Sequence, residues 1–170
     1  MSTDAADVTI APWGVGDLPL LEAANTPEMT RYLGGPESRE KLLVRHARYL
    51  RLNETGEARM FRIEVDGEPA GGIGFWQIDH DGEPAWETGW NVLPEFQGRG
   101  VALRALRLCI ADVTTRAGGG RNVLYAFPKP ENAASDALCA RAGFAFRGRA
   151  PFEYPKGVPI TVNVWRLALR

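Results

Sequence analysis

The chain has 170 residues, 45% of them hydrophobic and 24% charged, with a formal net charge of −1. That length and apolar content suit one globular domain with its own core, and the near-neutral balance excludes the basic footprint of a nucleic-acid binder. No apolar run approaches the roughly 20 residues that cross a bilayer, and the two cysteines show no metal-ligand spacing, so neither membrane nor metal is expected and a reducing cytoplasm is the implied setting.

Residues 1–7 are polar and acidic, lack the basic and apolar regions of a signal peptide, and read as a frayed lead-in. Residues 8–13 alternate and predict a first strand. Asp17 is a candidate N-cap for a short helix over 18–24, which Thr26-Pro27 breaks. After Gly34-Gly35-Pro36, a helix is expected from Pro36 to about Leu52, with Leu43, Ala47 and Leu50 as its buried stripe. His46, among arginines on that helix, reads as a boundary histidine rather than a base. A loop at 53–57 leads to a meander of strands over 59–65, 70–78 and 85–92. Asp66-Gly67 favours a tight hairpin; His80-Asp81-Gly82 makes the second turn. Gly71, Gly72 and Gly74 mark a bulge or a close backbone approach. A helix over 98 to about 116 carries Leu103, Leu106, Ile110 and Val113 on one stripe and stops at the glycines 118–120. A strand over 122–127, a helix from Asn132 to the stop at Gly143, and strands over 144–149 and 160–169 complete the chain. Cys109 and Cys139 fall within helices as packed thiols. Strand, helix and strand in one sheet imply parallel pairing. The expected fold is α/β, a mixed sheet with helices on both faces, in a single domain over residues 1–170.

The stretch Gln97-Gly98-Arg99-Gly100-Val101-Ala102 stands between a strand and a helix. A helix start leaves backbone N–H groups free and carries partial positive charge. Gly98 and Gly100 let the backbone curl those groups towards an anion, and Arg99 adds a full charge. The stretch therefore suits a phosphate-bearing ligand, although a plain glycine turn capping a helix has the same look. A P-loop is excluded because Val101-Ala102 stand where Lys-Ser/Thr is needed. A dinucleotide fingerprint lacks its third small residue at Leu103 and the acid at the end of the next strand.

The remaining pattern, Gln/Arg-x-x-Gly-x-Gly/Ala, resembles the pyrophosphate loop of the GCN5-related N-acetyltransferases (GNAT). A second element, Asn132 and Ser135 followed by Gly143-Phe144, is similar to the Asn-x-x-Ser … Gly-Phe element of the same family, in family order and spacing. The early segment 25–36 resembles the branch containing the ribosomal-protein N-terminal acetyltransferases. The resemblance covers most of the chain. It implies a GNAT-type sheet, splayed between the strand before the glycine loop and the strand after its helix. It also implies acetyl-CoA as co-substrate, held by Gln97, Gly98, Arg99, Gly100, Val101 and Ala102, with the pantetheine arm pairing along Asn91, Val92 and Leu93 and flanked by Asn132. The implied reaction is direct acetyl transfer to a primary amine, of a protein N-terminus or a small molecule; a homodimer is what the branch implies.

Glu87, on the strand leading into the loop, is the first candidate for the base that takes the amine proton; a solvent-facing strand acid would look the same. Glu153, expected in a loop before the last strand, is its rival. The family's usual tyrosine acid is replaced by Cys139, and the branch's serine matches Ser135, which otherwise reads as a hydrogen-bonding residue near the pantetheine. Arg31, Tyr32, Trp76, Trp86, Trp90 and Tyr154 are the candidate lining of the amine site. The missing tyrosine also admits a second reading, a non-catalytic acyl-CoA sensor on the same fold.

Overall fold

The computed structural model describes residues 6–170. Seven strands form one sheet, β1 (Val8–Pro12), β2 (Ala58–Val65), β3 (Glu68–His80), β4 (Glu83–Val92), β5 (Val123–Ala126), β6 (Ala145–Glu153) and β7 (Pro159–Ala168). Their order across the sheet is β1-β2-β3-β4-β5-β7-β6. The four helices are α1 (Leu18–Ala23), α2 (Arg39–Thr55), α3 (Val101–Thr114) and α4 (Ala133–Arg141). Every neighbouring pair of strands is antiparallel except β4 and β5, which run parallel and pair only at Trp86–Leu124 and Glu87–Tyr125. Beyond Glu87 the two strands part, so the sheet is mixed and splayed, as expected.

The turns follow from their residues. Asp66-Gly67 and Asp81-Gly82 both hold positive φ at each position, the two-residue form that matches strand twist. At the start of β3 the register with β2 shifts, Ile63 facing Gly71 and Glu64 facing Pro69, which leaves Ala70 as an extra residue. The glycines of β3 mark both features expected of them. The bulge lies beside Gly71, and a side chain at Gly71 would run into the backbone carbonyl of Asn91. His80 closes β3 with its ring 4.4 Å from that of Tyr125.

Helices cover both faces. Alternation along the strands sends Ile73, Phe75, Trp86 and Thr88 towards α3, where Thr88 meets Cys109 in the core. The other face carries Trp76, Glu87 and Asn91 beneath α1 and α2. The buried stripe of α3 is Val101, Ala105, Leu106, Cys109 and Val113, with Leu103 and Ile110 only half-buried at its margins; the cysteine, not Leu103, completes the contact surface. On α2 only Leu50 of the expected stripe packs against the core. Leu43 and Ala47 are exposed, and Leu42, His46, Tyr49 and Asn53 face the sheet. Polar residues disguised that face. The Trp13 indole donates to His46 Nδ1 at 2.9 Å, and Asn53 accepts from the Met60 amide while donating to the Met60 carbonyl. The helix itself starts later than expected, at Arg39, capped by Ser38.

The Asp17 carboxylate is not a cap for α1. It accepts from the Gly14 amide at 2.7 Å and from Arg62 at 3.3 Å, almost buried. Of the expected frayed lead-in, residues 1–5 lie outside the described residues. Ala6 and Asp7 are tied down: Asp7 exchanges bonds with Asp66, and Arg104 donates to the Ala6 carbonyl.

Candidate active site

The splay between β4 and β5 opens into a cavity of about 270 Å³ on the α1–α2 face. Its floor is the β3–β4 hairpin with Gly72, Trp76, Glu87, Gly89 and Asn91. One wall is Ala126 to Lys129 at the end of β5, with Asn132 and Ser135 of α4 beyond it. Trp13, Leu20, Leu21 and Tyr49 come from the opposite side, and Phe152, Tyr154 and Ile160 reach over from the β6–β7 hairpin.

Among the described residues, Glu87 is the one carboxylate in this wall. Its Oε2 accepts from the Trp76 indole at 2.8 Å. The two residues face each other across β3 and β4, and the Trp76 ring lies against Gly89, where a Cβ would sit 3.0 Å from it. Burial pushes the Glu87 carboxyl up to about 7, against the opposing pull of the Trp76 bond. A carboxylate poised there changes protonation near neutral pH, the property a general base needs. Glu87 is therefore not a solvent-facing strand acid. Its rival is displaced: Glu153 is the last residue of β6, exposed, and accepts from the Gly157 amide, outside the cavity.

Of the expected aromatic lining, Tyr32, Trp76 and Tyr154 are in place, and Trp90 borders the cavity from the Ile73 side of β4. Trp86 is core, 4% exposed and edge-on to Phe75 at 5.2 Å, because its strand parity turns it to α3. Arg31 sits outside, exposed, with its guanidinium 4.9 Å from the Tyr32 ring.

At the far end of β4, Gly98 and Gly100 both take positive φ, 78° and 71°, with open space where a Cβ would stand. Gly100 is the N-cap of α3 and brings no capping side chain. Among the described residues no hydrogen bond engages the amides of Gly98, Arg99, Gly100, Val101 and Ala102. A run of unpaired amides at the start of a fourteen-residue helix is a built anion cradle. The side chains around it have other work. Gln97 Nε2 donates to the Val92 carbonyl at 2.8 Å, pinning the loop to β4. Arg99 turns back to the Glu95 carbonyl at 2.9 Å and lies over Phe96. Asn91 accepts from the Gly72 amide at 3.2 Å, and the Leu93 amide donates to the Ala70 carbonyl; Val92 and Leu93 are buried.

Asn132 caps α4, its side-chain oxygen accepting from the Ser135 amide at 3.2 Å. That geometry leaves the Ser135 hydroxyl free at the cavity wall. The helix is held by a residue that sequence reasoning missed. Asp136 accepts from Asn163 Nδ2 at 2.9 Å and from the Trp165 indole at 2.8 Å, both on β7. Only the tertiary fold brings 136 to 163, so no local signal existed. The Trp76–Glu87 pair was readable, since counting back equally from the Asp81-Gly82 turn sets the two opposite each other. Cys139 is fully buried and its thiol is pushed up to about 12 by burial; it packs and does not substitute for a tyrosine acid.

Residues 7–145 match the family model described as "Acetyltransferase (GNAT) domain". Comparison with curated proteins gives no match. Among solved structures, the ribosomal-protein α-N-acetyltransferase RimL in complex with coenzyme A is 21% identical, with a TM-score of 0.78, over 99% of this chain and 96% of that one. An acetyltransferase from Salmonella typhimurium that modifies the N-terminal serine of a ribosomal protein is 22% identical at a TM-score of 0.80, over 99% and 97%. Spermidine N-acetyltransferase from Vibrio cholerae, in complex with CoA and spermine, is 19% identical at 0.76, over 95% of each chain. With a splayed sheet, an amide-lined glycine loop and a family model spanning most of its length, the chain belongs to the GNAT acetyltransferase family.

Proposed function

We propose that this chain transfers the acetyl group of acetyl-CoA directly to a primary amine, with Glu87 as the base and Ser135 as the acid. The observation that carries the reading is Glu87 itself: a carboxyl pushed up to about 7, set in the cavity wall where the sheet opens. The amides of Gly98 to Ala102 suit the diphosphate, and Asn91 and Asn132 flank the path from that cradle to the cavity. When bound, the co-substrate supplies a thioester carbonyl open to attack. Glu87 takes a proton from the incoming ammonium, directly or through water, so that nitrogen has a lone pair to form the new C–N bond. As the C–S bond breaks, the Ser135 hydroxyl gives its proton to the departing sulfur and regains, through water, the proton that the nitrogen sheds on forming the amide. One backbone N–H of β4, near Trp90 or Asn91, faces the developing oxyanion.

We place the chain in the ribosomal-protein N-terminal acetyltransferase-like branch, as one domain over residues 1–170, working in the cytoplasm. In support, the Asn132–Ser135 element stands at the cavity, both cysteines are free, and among the described residues no helix is long and apolar enough to cross a membrane. A homodimer goes with that placement and is read by sedimentation. The test of the chemistry is release of free CoA from acetyl-CoA with an amine panel, for the wild type and for Glu87→Gln. Loss of turnover in the variant, with acetyl-CoA binding retained, is expected; equal turnover removes Glu87 from the reaction.

A further inference from the structure

The cavity wall has a particular economy of polar groups. Its ring and aliphatic surfaces include Trp13, Leu21, Tyr49, Trp76, Phe127 and Phe152. Several of the polar atoms that these and their neighbours bring are already engaged. The Trp13 indole donates to His46, and the Trp76 indole donates to Glu87. The Asn91 oxygen accepts from Gly72, and the Asn132 oxygen accepts from Ser135. What remains in the wall is carbon together with the hydroxyls of Ser135, Tyr32, Tyr49 and Tyr154. Among the described residues, the charged side chains in the wall are one acid, Glu87, and one base, Lys129. The mouth continues the pattern, with Leu33 48% and Tyr154 37% exposed.

An acceptor must bring one nitrogen to Glu87 and lay the rest of itself on this surface. A second ammonium would find no second carboxylate and would meet the positive Lys129. Cation–π attraction from the rings recovers only a fraction of the cost of burying an unpaired charge. An aminosugar carries further ammonium groups, and these meet the same want of a second carboxylate. An uncharged apolar or aromatic body loses nothing and gains the burial.

From these features we infer that the acceptor is a primary amine with a single positive charge on an apolar body, and not a polyamine or an aminosugar. The inference rests on the amine-acetyltransferase reading above and specifies its substrate class. Glu87 anchors the amine, and the aromatic wall selects what it is attached to.

The experiment is calorimetric titration of the wild-type protein, saturated with CoA, with phenethylamine, leucinamide, spermidine and kanamycin, followed by CoA-release assays on the same four. The two apolar amines are expected to bind at least about tenfold more tightly than the other two, as an unpaired buried charge demands. Spermidine or kanamycin binding as well as either apolar amine overturns the inference, and so does failure of both apolar amines to bind. The two readings separate cleanly. Apolar amines that bind selectively but are never acetylated defeat the transferase reading and leave the binding selectivity standing. Efficient acetylation of spermidine alone does the reverse.

Discussion

Two residues, Glu87 and Trp76, set the pH behaviour of the proposed reaction. Glu87 works as a base only when ionised, and burial raises its carboxyl from 4.5 to about 7. Turnover is therefore expected to rise with pH through about 7 and to be lost below it, as a pH–rate profile with a saturating amine will show. The Trp76 bond is the one influence that lowers this carboxyl. Trp76→Phe removes the donor and keeps a ring against Gly89, so the rising limb is expected to move to higher pH; a limb that stays put or moves down contradicts the assignment. Stability follows the opposite sign. A raised carboxyl favours the fold while neutral, so its contribution is present below about 4.5 and is lost as pH rises through about 7. Glu87→Gln, which never ionises, is expected to melt higher than the wild type at pH 8 and close to it at pH 4.5. Ser135→Ala touches no hydrogen bond of the fold, since the Asn132 cap uses the Ser135 amide. Its melting temperature should match the wild type, while turnover falls by about a hundredfold, the lower end of what acid–base catalysis contributes.

Among the elements, the glycine loop and α4 hold opposite ends of the site by different means. The loop depends on left-handed backbone at Gly98 and Gly100, where no neighbouring atom would obstruct a side chain. Alanine at both positions meets only the backbone penalty, about 1–2 kcal/mol per residue in that conformation. The fold can survive by relaxing the loop, and the amide cradle is lost in doing so. Isothermal titration is expected to show acetyl-CoA affinity down by at least about tenfold, the equivalent of about 1.4 kcal/mol; undiminished affinity would remove the loop from the cofactor site. Helix α4 is fixed through Asp136, whose carboxylate bonds the side chains of Asn163 and Trp165. Asp136→Ala leaves those donors unpaired, at about 1–3 kcal/mol for a buried group. It is expected to raise KM for acetyl-CoA through misplacement of Asn132 and Ser135, while the Glu87-governed pH limb stays where it is.

At the scale of the whole molecule, the two faces of the sheet divide the labour. The α3 face is a closed core in which Phe75, Leu106, Cys109 and Leu124 are fully buried. The α1–α2 face is left open around Glu87, and the opening continues into the gap where β4 and β5 diverge. Both thiols stand outside that opening. Cys109 and Cys139 are fully buried and each is pushed up to about 12 by burial. The native protein is expected to show no fast-reacting thiol towards an aromatic disulfide reagent at pH 8, with both reacting after denaturation. A rapid equivalent in the native state would contradict this packing.

Local chemistry determined much of this protein from the sequence alone. Positive-φ pairs at Asp66-Gly67 and Asp81-Gly82, the glycine loop before α3, the Asn132 cap and the Gly143 stop are set by residues within a few positions of one another. The order of elements and the geometry of the glycine loop were therefore legible. The α2 stripe was not, because its inward face carries His46 and Asn53, whose partners Trp13 and Met60 come from other parts of the chain. Trp86 was misplaced as a wall residue and Asp136 was overlooked for the same reason: strand parity and helix docking decide which side of the sheet a side chain meets. The raised Glu87 carboxyl, too, belongs to the tertiary structure, since burial comes from neighbours distant in sequence and a carboxyl in isolation has none.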